Sequence, residues 1–148
     1  MDHIDHKIIR ELQQNARITM TELADRVGVS KTPCINRIRK LETEGYIRGY
    51  TALTDPTKMG LGHIAFVQVT ISDTRSKALN DFNAAVRKIP EVTQCHMMAA
   101  GFDYLLKVRT RNMTEYRTVL GEKISALPYV SHTSTFAVME TVVDPGTD

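Results

Sequence analysis

The stretch "TELADRVGVSKTPCINRIRKLETEG", residues 21–45, holds two helix starts separated by a very short turn. Thr19, just ahead of it, and Glu22 three residues on form a capping-box pattern. Leu23, Ala24 and Val27 then give a short apolar face, and Gly28 stops that helix. Ser30 offers the next N-cap, and Pro33 lies early enough in the following helix for its missing N–H to cost little. Ile35, Ile38 and Leu41 share a face of that helix, and Gly45 ends it. Two helices joined through "VGVS" make a helix-turn-helix. A plain three-helix bundle that binds nothing has the same spacing.

The face opposite the apolar one separates the two. At about 100° per residue, the positions opposite Ile35, Ile38 and Leu41 are Thr32, Pro33, Asn36 and Lys40, flanked by Arg37 and Arg39. A solvated helix mixes Glu with Lys, whereas this face carries hydroxyl, amide and cations. Phosphates and base edges bind those groups. Ser30, Lys31 and Thr32 at the helix start suit a phosphate. Asn36 suits a base edge, with adenine its usual bidentate partner. Arg37 suits guanine or phosphate, and Arg39 and Lys40 suit the backbone. The predicted partner is double-stranded DNA.

Charge distribution agrees. The 148 residues carry a net charge of only +2. Residues 1–50 hold nine Lys/Arg against seven Asp/Glu, so the whole excess lies in the first third. Residues 26–41 contain Arg26, Lys31, Arg37, Arg39 and Lys40 with no acid, a local basic stripe suited to an anionic partner.

Ahead of this region, "DHIDHKIIRELQQN" places Ile4, Ile8, Ile9 and Leu12 at helical spacing with Asp2 as N-cap. Behind it, Tyr46, Ile47, Tyr50 and Leu53 suggest a short strand, and Pro56, Gly60 and Gly62 mark a loop. The domains expected are therefore residues 1–50, with the helix-turn-helix at about 20–39, a linking strand and loop over 51–63, and a second domain over 64–148.

That second domain alternates element types. "IAFVQVTIS" (64–72) is apolar on both faces and so reads as a central strand. A helix follows with Leu79, Phe82, Val86 and Ile89 on one side. "VTQCHMMAA" and "YLLKVRT" form a hairpin. A second helix is capped by Asn112 with Glu115 and faced by Met113, Tyr116, Leu120, Ile124 and Leu127. "VSHTSTFAVMETVV" is the last strand. The order βαββαβ predicts an α+β fold, a ferredoxin-like αβ sandwich behind a winged-helix-like DNA-binding domain. Its helices cover one sheet face. Val67, Val69, Phe136 and Val138 make the other too apolar for water, so a homodimer through the sheets is expected. A twofold dimer would read half-sites about 34–36 Å apart or a multiple of that.

Other functions are disfavoured. Cys34 and Cys95 are isolated, and the five His are scattered, with only His3 and His6 able to share a helix face where a metal site needs three or four converging ligands, so no disulfide framework or metal site is expected. Paired carboxylates, an activated nucleophile and a Gly-rich anion loop with its Arg are absent from the sequence, so no enzyme is expected and no cofactor. No segment reaches the roughly 18 apolar residues of a membrane span, and the start lacks a signal-peptide core, so a cytoplasmic protein is expected, with no membrane partner.

The stretches "IDHKIIRELQQNAR", "SKTPCINRIRKLETEGYIRGYTALTDP", "FNAAVRKIPEVTQCHMMAAGFDYLLKVRT" and "MTEYRTVLGEKISALPYVSHTSTFAVME" together resemble the leucine-responsive regulatory protein/AsnC family, the feast/famine regulators, most of all its leucine-responsive branch. The resemblance implies a prokaryotic, nucleoid-associated regulator of genes for amino-acid metabolism or transport. It implies dimers that assemble further, commonly into octamers, and an effector, usually an amino acid, bound between dimers in the C-terminal domain. The family's effector loop carries over onto "AAGFDY": Ala99, Ala100, Gly101, Asp103 and Tyr104, with Phe102 also matching and Ala100 standing where Gly is usual. Thr133 and Thr135 correspond to effector-contacting positions contributed by a neighbouring chain. Met113, Phe136 and Ala137 would shape the response. Asp103 suits an effector's ammonium and suits equally a turn residue bonded to backbone. An architectural DNA-compacting protein with a vestigial pocket fits the same pattern.

Overall fold

The computed structural model describes residues 1–144 and Gly146; Pro145, Thr147 and Asp148, the end of the expected second domain, lie outside the described residues. The chain divides into two compact units, Met1–Ala52 and Leu53–Asp148.

Three helices build the first unit. Helix α1 (His3–Gln14) starts at Asp2 in a full capping box: Asp2 Oδ1 accepts from the Asp5 N–H at 3.0 Å, and Asp5 Oδ2 accepts from the Asp2 N–H at 2.9 Å. Helix α2 (Met20–Val27) starts at Thr19, whose Oγ1 accepts from the Glu22 N–H at 3.1 Å. The reciprocal half expected of Glu22 is replaced by a pair with Arg26 Nη2 at 2.7 Å. Gly28 then takes φ +80°, the left-handed turn that a side chain disfavours. Helix α3 (Lys31–Thr43) follows after two residues, with Ser30 extended at its start but giving no side-chain capping bond.

The core of this unit joins Ile8, Leu12, Leu23, Val27, Cys34, Ile38 and Leu41. The buried stripe of α3 is therefore Cys34, Ile38 and Leu41, and Ile35 is only half-buried. Exchanging Ile35 for Cys34 turns the stripe by roughly 30° about the helix axis. Arg37 consequently lies at the margin of the core, toward α1. The strand expected over 46–53 does not form. Those residues have no ladder partner, and Tyr46, Tyr50 and Leu53 are exposed. Tyr50 instead donates its hydroxyl to Glu42 Oε1 at 2.8 Å, which ties the segment to the end of α3.

The second unit runs β1 (His63–Ile71), α4 (Ser76–Val86), β2 (Val92–Met97), β3 (Tyr104–Thr110), α5 (Met113–Val119) and β4 (Val130–Ala137). The strands lie in the order β2-β3-β1-β4, and every neighbouring pair is antiparallel. This is the expected βαββαβ sandwich, with β1 central. On β1 the buried residues alternate: Ala65, Val67, Val69 and Ile71. On β3 they are Tyr104, Leu106, Val108 and Thr110. Most of both sets pack with Phe82 and Val86 of α4, Tyr116 and Val119 of α5, and Ile124.

Four expectations change here. Val67 and Val69 are fully buried on the helix side, so they do not belong to the open face. That face carries Ile64, Phe66, Gln68 and Thr70 of β1, with Phe66 directly opposite Phe136 of β4. The second helix is not regular: after Val119 it widens into a π-turn over Leu120–Ile124, closed by Ser125 N–H to Leu120 O at 2.8 Å. Met113 stays exposed rather than joining the core. The last strand ends at Ala137, and Met139, Val142 and Val143 are exposed beyond it.

Phe82 is fully buried, with its ring 4.2 Å from that of Tyr104, centroid to centroid. Phe82→Ala is expected to lower stability by about 3–5 kcal/mol, measured as a reduced urea midpoint with an unchanged slope. A loss below about 1 kcal/mol would mean the site collapses around the gap.

Candidate functional site

Two groups of residues carry the candidate function, one in each unit. In the first, Ser30, Lys31, Thr32, Asn36, Arg39 and Lys40 are all exposed on α3 or at its start. The burial of Cys34, Ile38 and Leu41 fixes that outcome, because a helix that commits one stripe to the core must turn the opposite one outward. Lys40 lies 3.8 Å from Glu44 Oε1, one turn on, in a loose surface pair. Its side chain remains available to an anion.

Arg37 stands apart from the other six. Its Nη1 donates to Asp2 Oδ2 at 2.7 Å and to Asp5 Oδ1 at 2.9 Å. Each carboxylate thus gives one oxygen to the α1 capping box and the other to Arg37. The Asp5 N–H first, and Arg37 second, hold the Asp2 carboxyl down to about 2. The same two carboxylates raise the Arg37 guanidinium above its usual value. No local pattern announces this contact, since its partners are 32 and 35 residues apart.

In the second unit, Ala99, Ala100 and Gly101 are exposed in the β2–β3 turn. Gly101 does not occupy the left-handed region, and a Cβ there would meet nothing within 4 Å. The turn itself therefore imposes no glycine at position 100 or 101. Asp103 is bonded three ways at the root of the turn. Its Oδ2 accepts from the Ile71 N–H at 2.8 Å, its N–H donates to Val69 O at 3.0 Å, and its carbonyl accepts from the Met98 N–H at 2.9 Å. The carboxylate anchors the hairpin to β1 where the β1–β4 register shifts between Thr70 and Ile71.

Tyr104 does not share the turn's exposure. It is 2% exposed, and its hydroxyl donates to Asn83 Oδ1 at 2.7 Å. Its ring packs inward because β3 alternates and residue 104 falls on the helix side. Thr133 pairs with Val69 across β1–β4, and Tyr104 pairs with Val69 across β1–β3. The hairpin root and Thr133 thus lie at the same end of the sheet, two strand spacings or about 10 Å apart. Thr135, opposite Val67, shares a hydrogen bond with the Tyr116 hydroxyl.

Two clefts lie to the sides. One of about 430 Å³ runs between α4 and β2, past Asn83, Arg87, Gln94, Cys95 and Tyr104. The other, of about 560 Å³, lies beside α5, past Glu91, Arg111, Glu115 and Lys123. Burial pushes the Cys95 thiol up to about 11, so it is protonated and unreactive at neutral pH. Among the described residues no cluster of His, Cys, Asp or Glu is arranged to hold a metal ion. No helix among them is long and apolar enough to cross a membrane.

Comparison with known proteins separates a DNA-binding unit from a bare helical bundle. Residues 1–48 match the winged helix-turn-helix DNA-binding family, and residues 64–147 match the Lrp/AsnC ligand binding domain. The chain belongs to the Lrp/AsnC family. It is a DNA-binding transcriptional regulator with a ligand-binding domain, and not an enzyme.

Among its Lrp/AsnC relatives, the proline dehydrogenase transcriptional activator of Rhizobium radiobacter is 56% identical over 99% of this chain and 94% of its own. The leucine-responsive regulatory protein of Salmonella typhimurium is 45% identical over 96% of this chain and 87% of its own. The chain is therefore nearer to the first than to the second, and the expected leaning to the leucine-responsive branch is corrected accordingly. Among solved structures, the transcriptional regulator–L-Met complex from Neisseria meningitidis superposes with a TM-score of 0.90, at 34% identity over 97% of this chain and 93% of that one.

Because the folded Asp2 value lies below the ordinary 3.8, its stabilising effect is present above pH 3.8 and is lost as pH falls through about 2. In a carboxyl NMR titration, Arg37→Gln is expected to raise the Asp2 midpoint from about 2, yet leave it below 3.8 because the Asp5 N–H remains. An unchanged midpoint would show that Arg37 does not hold Asp2 in solution.

Proposed function

We propose that this Lrp/AsnC regulator lays the outward face of α3 in the DNA major groove and controls genes of amino-acid metabolism or transport in response to an amino acid. The observation that carries the reading is the composition of that face. Thr32, Asn36, Arg39 and Lys40 are exposed together on the side opposite Cys34, Ile38 and Leu41. Ser30, Lys31 and Thr32 present hydroxyls, an ammonium and the α3 N-terminus to phosphate. Asn36 takes a base edge, and Arg39 and Lys40 take the backbone.

The effector reading rests on the hairpin turn. An amino acid needs an anion for its ammonium and donors for its carboxylate. An ionised carboxylate has about four lone-pair sites, and the Ile71 bond takes one of those on Asp103. The backbone N–H groups of Ala100–Phe102, with Thr133 and Thr135 of a neighbouring chain, supply donors. Ala99 and Ala100 leave room for a ligand that hugs the backbone. Tyr104 supports the turn from beneath and does not touch the ligand. The relative solved with L-Met supports an amino acid as the ligand class.

A second copy covers the open sheet face over Phe66 and Phe136, giving a twofold dimer that presents two α3 helices. Such dimers assemble further, to an octamer, and act in the bacterial cytoplasm on the nucleoid. The names of the relatives at 56% and 55% identity point to a proline dehydrogenase gene as one target.

Fluorescence anisotropy on DNA upstream of this protein's own gene and of its host's proline dehydrogenase gene, screened against the twenty amino acids, tests the reading. At least one amino acid is expected to change affinity by 5-fold or more, within the usual range of coupling between two sites, about 5–150-fold. Tight binding that no amino acid alters would favour the architectural alternative.

A further inference from the structure

The contact between the start of α1 and the middle of α3 borders the proposed duplex-reading face, and both of its carboxylates are fully bonded. Asp2 and Asp5 use all four carboxylate oxygens: two on each other's backbone N–H and two on Arg37 Nη1. Asp5 and Arg37 are largely shielded, with side chains 14% and 33% exposed. Arg37 is also the immediate neighbour of Asn36, and Met1, Asp2, Asp5, Asn36, Arg37 and Lys40 line one shallow groove on the surface of this unit.

We propose that Asp2 and Asp5 make Arg37 a positioning residue, which sets the rotation of α3 so that Asn36 meets its base edge, and which withholds its charge from the phosphates. The inference rests on α3 being the helix that reads DNA. Its basis is geometric. The buried stripe of Cys34, Ile38 and Leu41 holds α3 along one line. That stripe decides which side of α3 faces outward; a second contact off the stripe narrows the rotation that remains. A charged clamp at the margin of the stripe fixes it, because Nη1 must meet two carboxylates that the α1 capping box already holds in place. A phosphate that reached this guanidinium would share it with two carboxylates and be repelled by both. Lys40, by contrast, has only a loose 3.8 Å pair with Glu44 and a side chain 70% exposed. Asp2 and Asp5, on a helix that does not enter the groove, thereby become determinants of sequence specificity.

The test uses the full chain, a duplex selected by the wild-type protein from a random library, and a scrambled duplex of equal length. Affinity for each is measured across a salt series, at a temperature where circular dichroism shows every variant folded. Lys40→Ala is expected to shallow the salt slope by about one unit. Arg37→Gln is expected to leave the slope unchanged while the ratio of selected to scrambled affinity falls about tenfold, the order of one mismatched base pair. Asp2→Asn with Asp5→Asn lowers that ratio similarly, and adding Arg37→Gln to the pair lowers it no further, as expected of groups acting as one unit.

A slope shallowed by about one unit in Arg37→Gln, with the ratio intact in the Asp pair, would overturn the proposal and make Arg37 a phosphate contact. A ratio unchanged in both would leave the clamp a stability feature alone and also overturn it. If Asn36→Ala and Lys40→Ala, run beside them, alter neither ratio nor slope, α3 is not the reading helix, and that separate failure is identified as such.

Discussion

A helix of thirteen residues has one stripe to bury, and the choice of stripe governs what α3 can do. Cys34, Ile38 and Leu41 go inward. Everything else about the first unit follows from that commitment. The left-handed turn at Gly28 and the two-residue gap before Lys31 bring α2 and α3 close enough to share the core. Thr32, Asn36 and Arg39 then face outward without further instruction. Arg37, on the margin, is close enough to α1 to meet its capping carboxylates. The same rotation that presents Arg39 and Lys40 to solvent brings Arg37 to the carboxylates of Asp2 and Asp5.

The second unit obeys a period of two instead. Its central strand β1 is paired on both sides, and alternation sends Val67 and Val69 toward the helices while Phe66 and Gln68 go to the open face. The alternation of β3 also explains the divided fate of neighbouring turn residues. Asp103 stays at the surface end, bonded to β1, and Tyr104 enters the core one residue later. Asp103 therefore has a structural task whatever else it does. Its bond to Ile71 holds the hairpin against the place where the β1–β4 register slips. Its N–H and carbonyl add bonds to Val69 and Met98, so the root of the turn is tied to both flanking strands.

Local features of the fold were legible in the sequence because their causes are local. Asp2, Thr19 and Asn112 cap the helices that follow them, and Gly28 ends α2. The βαββαβ order and the central position of β1 were equally plain. Other features depend on what lies across space. Both faces of β1 carry large apolar residues, Ile64 and Phe66 on one and Val67 and Val69 on the other, so the strand alone does not tell which one the helices cover, and the expectation for Val67 and Val69 falls on the wrong side. The segment 46–53 has strand-forming residues but no neighbour in its unit to pair with. Cys34 competes with Ile35 for the core, and packing with α1 and α2 settles that in favour of the smaller residue. Arg37 read as one more cation on a basic helix; its carboxylate partners lie more than thirty residues away. The π-turn after Val119 preserves burial of Ile124 and Leu127 without a regular helix, and the periodicity of Tyr116, Leu120 and Ile124 does not announce it.

Base reading by the outward face of α3 is proposed to run through Asn36. Selection of binding sites from a randomised duplex library, run in parallel on the wild-type protein and on Asn36→Ala, tests it most directly. Symmetric half-sites are expected for both, with preference lost in the variant at one adenine-containing base pair of each half-site and retained elsewhere. An identical consensus from the two proteins, or a uniform loss of preference at every position, would contradict it.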